Sequence, residues 1–167
     1  MLIIADRLNQ LNFRQLMDVY EELNLEQGRL LYPHESSAQW ALLAEQDFYQ
    51  YLNECFFQTP GAVYALWQEN GKYVSALRLE PYLDGLLIEA LETLPTVRGM
   101  GYAGMLLHAV KAHYGEIQLY AHVDKRNIPS IRVHERCGFH RILEHAVYAD
   151  GSVLSGSCTY CGKNTNN

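Results

Sequence analysis

The sequence predicts a mixed α/β domain: a central, mostly antiparallel sheet with helices on both faces. Three observations carry that prediction. Strand-type and helix-type apolar patterns succeed one another in the order β, α, α, β, β, β, α, β, α, β, β. Hairpin signals at Glu69-Asn70-Gly71-Lys72 and Asp150-Gly151 sit beside stretches where strand and helix alternate, which suits a mixed sheet rather than an all-parallel one. The 167 residues are 49% apolar, enough for one core, and no repeat, low-complexity linker or compositional break divides them. A single domain over residues 1–162 follows, with polar residues 163–167 expected to fray.

In chain order, Leu2 to Ala5 reads as a short strand. Asn12 with Gln15 fits a capping box, and Phe13, Leu16, Tyr20 and Leu23 recur at helical spacing. Gly28 and Pro33 punctuate the next stretch, so Asn24 to Pro33 is expected to be irregular. Ser36 or Ser37 caps a second helix, with Gln39 in the reciprocal position for Ser36, and its apolar stripe runs Trp40, Leu43, Ala44, Phe48, Tyr51, Leu52 and Cys55. Ala62 to Gln68 and Tyr73 to Leu79 form a hairpin, and Pro81 to Gly85 reads as a connection. Leu86 to Leu94 is the central strand, stopped by Pro95 and Thr96. A helix then runs from about Tyr102 to Tyr114, closed by Gly115. Ile117 to Val123 is a strand, and Ile128 to Cys137 a helix with Pro129 in its first turn. Arg141 to Ala149 and Val153 to Tyr160 close the chain as a hairpin.

Composition narrows the function classes. Formal net charge is -6 and the basic residues are scattered, so the concentrated positive footprint of a nucleic-acid surface is missing. No run approaches the roughly 18 apolar residues of a membrane span. The first ten residues are too short and too soon acidic for a signal peptide, so a cytoplasmic location is expected. Cys55 and Cys137 stand alone in apolar surroundings and are expected to be buried thiols. Cys158-Thr-Tyr-Cys161 is a lone C-x-x-C with no further ligand pair nearby, so no metal is expected.

The informative stretch is Arg98-Gly-Met-Gly-Tyr-Ala103, a glycine-containing turn between the central strand and a helix. Such a turn leaves backbone N–H groups free at a helix N-terminus, a ready anion site. It lacks the Gly-Lys-Ser/Thr of a P-loop and the G-x-G-x-x-G of a dinucleotide site. Its spacing, Arg98, Gly101, Ala103, resembles the R-x-x-G-x-G/A signature of the GCN5-related N-acetyltransferase (GNAT) superfamily. Downstream, the strand IQLYAHV, then Asn127, then VHERCGF ending at Phe139 follow the same pattern. The resemblance implies acetyl-CoA as acyl donor and a central strand splayed from its neighbour. It places the pantetheine arm against the backbone of Leu91, Glu92 and Thr93. It places the pyrophosphate on the amides from Arg98 through Gly99, Met100, Gly101 and Tyr102 to Ala103, and gives Asn127 a further cofactor contact. Asn127 also reads as a helix N-cap. Met100 stands where relatives often carry a basic residue.

The family reaction is attack of a neutral amine on the thioester carbonyl. Glu89 is the first candidate for the base or amine-binding carboxylate, because a charge in an apolar strand needs a reason. On a regular strand Glu89, Leu91 and Thr93 share one face and Ala90 and Glu92 the other; a bulge would shift this parity, which leaves Glu92 open. His134 occupies the position where many relatives carry a tyrosine near the thioester sulfur. It can act as an acid only as imidazolium; the alternatives are a weak hydrogen bond, a base acting through water, or a plain helical histidine. His122, Tyr120 and Tyr148 are candidates to face the same cleft. The expected function is direct acetyl transfer to an amine of a small molecule or protein in a ternary complex. The alternative is a non-catalytic CoA-binding regulatory module. Homodimers are common in the family, and no residue here establishes one.

Overall fold

The structure, a computed structural model, describes residues 1–162. The expected frayed end, 163–167, lies outside the described residues. Among those described, seven strands form one sheet, with β1 Leu2–Ala5, β2 Val63–Glu69, β3 Lys72–Tyr82, β4 Gly85–Thr93, β5 Gln118–Asp124, β6 His140–Leu143 and β9 Ser157–Gly162. A second, two-stranded sheet consists of β7 Ala146–Val147 and β8 Val153–Leu154. The helices are α1 Phe13–Val19, α2 Glu21–Leu31, α3 Ser37–Glu54, α4 Tyr102–Tyr114 and α5 Ile128–Arg136. The large sheet runs β1-β2-β3-β4-β5-β9-β6, and its one parallel pair is β4 with β5, joined through α4.

Strand alternation divides the core between two faces. On one face Leu77, Leu79, Ile88, Leu119 and Ala121 meet Leu106, Leu107 and Val110 of α4 and partly buried Ile131 and Val133 of α5. On the other Tyr64, Leu66 and Ala76 meet Leu16 and Tyr20 of the α1 region and Leu52 of α3. The β7–β8 hairpin covers this second face farther along the sheet, where Tyr82 donates a hydrogen bond to the Val147 carbonyl and Tyr148 packs on His122.

Four expectations are corrected. Residues Asn24 to Leu31 are helical, as part of α2. Gly28 does not break that helix but lets it touch α3, since a Cβ there would lie 2.2 Å from the Trp40 carbonyl oxygen. Pro81 belongs to β3, opposite Leu86, and only Leu83–Asp84 turns the chain. The closing hairpin is interrupted. Residues 140–143 pair with 157–162, while 144–156 leave the large sheet to form β7 and β8 around Asp150-Gly151. Cys55 is exposed rather than buried, because it caps the end of α3; Cys137 is buried.

The helix caps form as their sequences direct, with one change. Asn12 accepts from the Gln15 amide, but the Gln15 side chain turns to β3, donating to the Gly71 carbonyl and accepting from the Tyr73 amide. Ser36 and Gln39 make a reciprocal box.

Candidate active site

Three features meet on β4. The first is a bulge. Arg78 pairs with Glu89 and Ala76 with Glu92, so Ala90 and Leu91 together occupy the space opposite Leu77. Ala90 adopts φ +50, a left-handed conformation unfavourable for an alanine. The buried Tyr20 hydroxyl donates to the Ala90 carbonyl at 2.7 Å and braces it there.

The second feature is a splay. Strands β4 and β5 pair only from Gly85↔Gln118 to Ile88↔Ala121. Beyond that point, among the described residues, β5 pairs only with β9, and Glu89 to Thr93 have no partner on the β5 side. The separation starts where the bulge redirects β4. It leaves a slot beside Leu91, Glu92 and Thr93.

The third is the turn at the end of β4. Pro95–Val97 make a short 3-10 turn, and Gly99 and Gly101 take φ +82 and +87. Each added Cβ would meet nothing within 4 Å, so the glycines serve backbone conformation rather than space. The amides of Gly99, Gly101, Tyr102, Ala103 and Gly104 have no acceptor among the described residues, whereas Met100 donates to the Val97 carbonyl and Met105 to that of Gly101. These free donors gather at the α4 N-terminus, where the helix dipole favours an anion. Met100 is exposed at its rim.

Arg98 is not a free cation over that site. Its Nε donates to the Thr93 carbonyl at 3.2 Å, and its guanidinium reaches Glu22 of α2 at 2.5 Å and Glu92 at 3.6 Å. It ties the turn to α2. Asn127 caps α5, its Oδ1 accepting from the Ser130 amide at 3.1 Å.

The bulge places both candidate carboxylates on one face. Arg78 and Ala76, two residues apart on β3, lie opposite Glu89 and Glu92, and opposed residues share a face. Simple alternation had put Glu89 and Glu92 on opposite faces; the extra residue removes that difference. Glu92 is held by Arg98, and burial raises its pKa first, with Arg98 acting the other way. Glu89 faces Arg78 at 3.8 Å.

His134 lies on the α4–α5 side of the sheet and is 2% exposed. Its ring sits edge-on to Phe139, 5.3 Å between centroids. Its Nδ1 lies 2.8 Å from the Ser130 carbonyl oxygen, an acceptor, so the neutral ring carries its proton on Nδ1 and a lone pair on Nε2. Nε2 is buried without a partner. Burial lowers the pKa and disfavours the imidazolium that acid catalysis would require. His122 stands on β5 just past the last β4–β5 pair, with both ring nitrogens unpartnered. Its ring meets Tyr82 and Tyr148 edge-on.

On the face bearing Glu89 a cavity of about 270 Å³ opens between α2, α3 and the bulge, and its wall includes Ala90, Tyr20 and Arg78. A larger hollow of about 500 Å³, lined by Arg7, Phe13 and Tyr49 among others, contains no β4 residue. Sequence reading did not single out Arg78, Glu80 or Tyr20. Arg78 had a signal, a charge inside the apolar run Tyr73 to Leu79, of the kind that drew attention to Glu89. Glu80 lies near both; burial raises its pKa most, followed by the charge of Glu89. Tyr20 had none, since it reads as one apolar position of a helix stripe.

The sequence pattern of the acetyltransferase (GNAT) family matches residues 16–139. The chain belongs to that family. No curated protein matches it by sequence. Among solved structures, this GNAT chain is similar to the PaiA N-acetyltransferase from Thermoplasma acidophilum in complex with coenzyme A, at 10% identity and TM-score 0.63, covering 98% of this chain and 99% of that one. It is also similar to aminoglycoside 6'-acetyltransferase type Ii, at 15% identity and TM-score 0.62, covering 98% and 96%. A third is the histone acetyltransferase HPA2 and related acetyltransferase from Corynebacterium glutamicum, at 13% identity and TM-score 0.70, covering 100% and 97%. At these identities the likeness is one of fold. The bulged, splayed β4 and the glycine turn of this GNAT domain lie inside the matched segment.

Proposed function

We propose that the protein transfers the acetyl group of acetyl-CoA directly to an amine bound beside Glu89. The single observation that carries this reading is the slot between β4 and β5. It opens at Ile88↔Ala121, leads to the free amides of the α4 N-terminus, and borders the cavity at Ala90. Diphosphate suits those amides, and an extended amide-bearing arm suits strand edges without a neighbour. When bound, acetyl-CoA supplies the activated acetyl group. Glu89 takes the proton that the acceptor ammonium must lose before it attacks. Backbone N–H groups of the bulge offer hydrogen bonds to the negative charge that builds on the carbonyl oxygen. His134, buried and neutral on the α4–α5 side of the sheet, does not deliver a proton to the departing thiolate.

The test is CoA thiol release from acetyl-CoA across polyamines, aminoglycosides, amino acids and peptide N-termini. Release that depends on a particular amine is expected, with at least about a hundredfold loss in Glu89→Gln, the usual scale of a general base. CoA binding without release from any acceptor would instead favour a CoA-binding regulatory module.

A further inference from the structure

The wall of the cavity beside the bulge includes a cation, Arg78, that is largely withdrawn from water and whose buried Nε has no hydrogen-bonding partner among the described residues. The Arg78 side chain is 17% exposed. It stacks under Tyr51 and Phe56, with its guanidinium carbon 5.2 and 5.7 Å from the ring centroids. Its one ion pair among the described residues is to Glu89 at 3.8 Å, beyond hydrogen-bond reach. Its Nε is fully buried and has no partner among the described residues. A guanidinium taken out of water is costly unless an acceptor replaces the lost hydration. The planar fork matches a carboxylate.

The rest of the wall is largely apolar, with Tyr20, Leu23, Leu31, Ala44, Phe48 and Tyr51, and it also carries the polar side chains of Asn24 and Gln27. Asp47, also in the wall, is occupied by the Tyr32 hydroxyl at 2.5 Å. The volume of about 270 Å³ falls below the roughly 300–1,000 Å³ of sites for drug-sized ligands. The opening therefore suits one small body with an apolar side chain.

Arg78 of the cavity wall and Glu89, which lies 3.8 Å from it and outside the lining, form a plus–minus pair beside a largely apolar recess. We propose that the acceptor is a free α-amino acid with an apolar side chain. Its carboxylate is taken by Arg78, its ammonium by Glu89, and its side chain by the recess. This rests on the acetyl-transfer reading above. Glu89 removes one proton from the ammonium. The nitrogen then forms a C–N bond to the acetyl carbonyl carbon as the C–S bond breaks, and the second nitrogen proton is lost as the departing thiolate becomes the thiol. The products are an N-acetyl amino acid, CoA thiol and one proton released through Glu89.

The test compares L-phenylalanine and L-leucine with their methyl esters and with the corresponding decarboxylated amines, in thiol release by the whole protein. The acids are expected to exceed esters and amines in kcat/KM by about tenfold to a hundredfold, the scale of one charge-assisted hydrogen-bonded pair. Arg78→Met, which keeps the bulk without the charge, is expected to erase that preference, and Arg78→Lys to restore part of it. Esters or amines used as well as the acids would overturn the proposal, and so would a polyamine or peptide accepted where no apolar amino acid is. Calorimetry of L-phenylalanine and its methyl ester, with CoA present, separates this claim from the transfer reading. Binding of the acid alone upholds the carboxylate site even without thiol release. Equal binding, or none, overturns it. A thermal melt of each variant checks that it folds.

Discussion

Ala90 and His134 show what single residues contribute here. Ala90 holds a left-handed backbone at φ +50, and the Tyr20 hydroxyl on its carbonyl stabilises that choice. Tyr20→Phe should cost about 1–3 kcal/mol, the range for leaving a buried carbonyl without its donor, and a chemical denaturation curve measures it. His134 is expected to give a pH signature. Its folded pKa lies below the ordinary 6.5, so between those two values the unfolded chain holds more protons than the native one. The stability it contributes is complete above 6.5 and is lost as pH falls toward the lower, folded value. His122 shifts in the same direction, also through burial. The melting temperature should therefore drop from pH 7.5 to 5.5, with His134→Phe and His122→Phe each removing part of the drop. Thiol release should show no decline from pH 6.5 to 8.5 of the kind an imidazolium acid would impose. Glu89 was legible as a charge in an apolar strand. The shared face of Glu89 and Glu92 was not, because one extra residue in a strand reverses alternation without leaving a mark in composition.

At the scale of elements, close approaches decide more than propensity does. Helix α2 was hidden by Gly28, which in sequence looks like punctuation. In the fold it is a contact point with the Trp40 backbone. Gly28→Ala should cost about 3 kcal/mol, the upper end for forced overpacking, and lower the melting temperature by about 6–12 °C. Gly85 repeats this logic at the start of the parallel pair, where a Cβ would stand 1.9 Å from the Gln118 carbonyl oxygen. Gly101 differs, having open space and a positive φ. Gly101→Ala should cost about 1–2 kcal/mol in backbone strain and weaken CoA binding, measured by titration. The turn itself was readable because its chemistry is local, a strand stop, two glycines and a helix start. The hairpin at Asp150-Gly151 was also readable as a turn, but its strands were not. Only tertiary pairing puts 157–162 between β5 and β6.

For the molecule as a whole, the order of strands concentrates stability at its last one. Strand β9 lies between β5 and β6, with Tyr160, Cys158 and Thr159 buried. A chain ending at Gly156 would leave both neighbours with open edges and should fail to give a cooperative melt. The mixed sheet was legible from the alternation of hairpins and helices. The division of labour between its faces was not, because it depends on which helices cross to which side. One bridge joins those regions. Arg98 fastens the glycine turn to Glu22, and the same helix α2 supplies Leu23 and Leu31 to the cavity beside the bulge. On the proposed function this bridge would couple the donor and acceptor sites, and such linkage is reciprocal: whatever factor CoA adds to acceptor affinity, the acceptor must return to CoA. With Arg98 and Glu22 at 44% and 59% exposure, their ion pair transmits at most about 1 kcal/mol, roughly a fivefold change in either binding constant. Glu22→Gln should bring that factor toward one while leaving each ligand able to bind alone, so the two substrates would cease to sense each other.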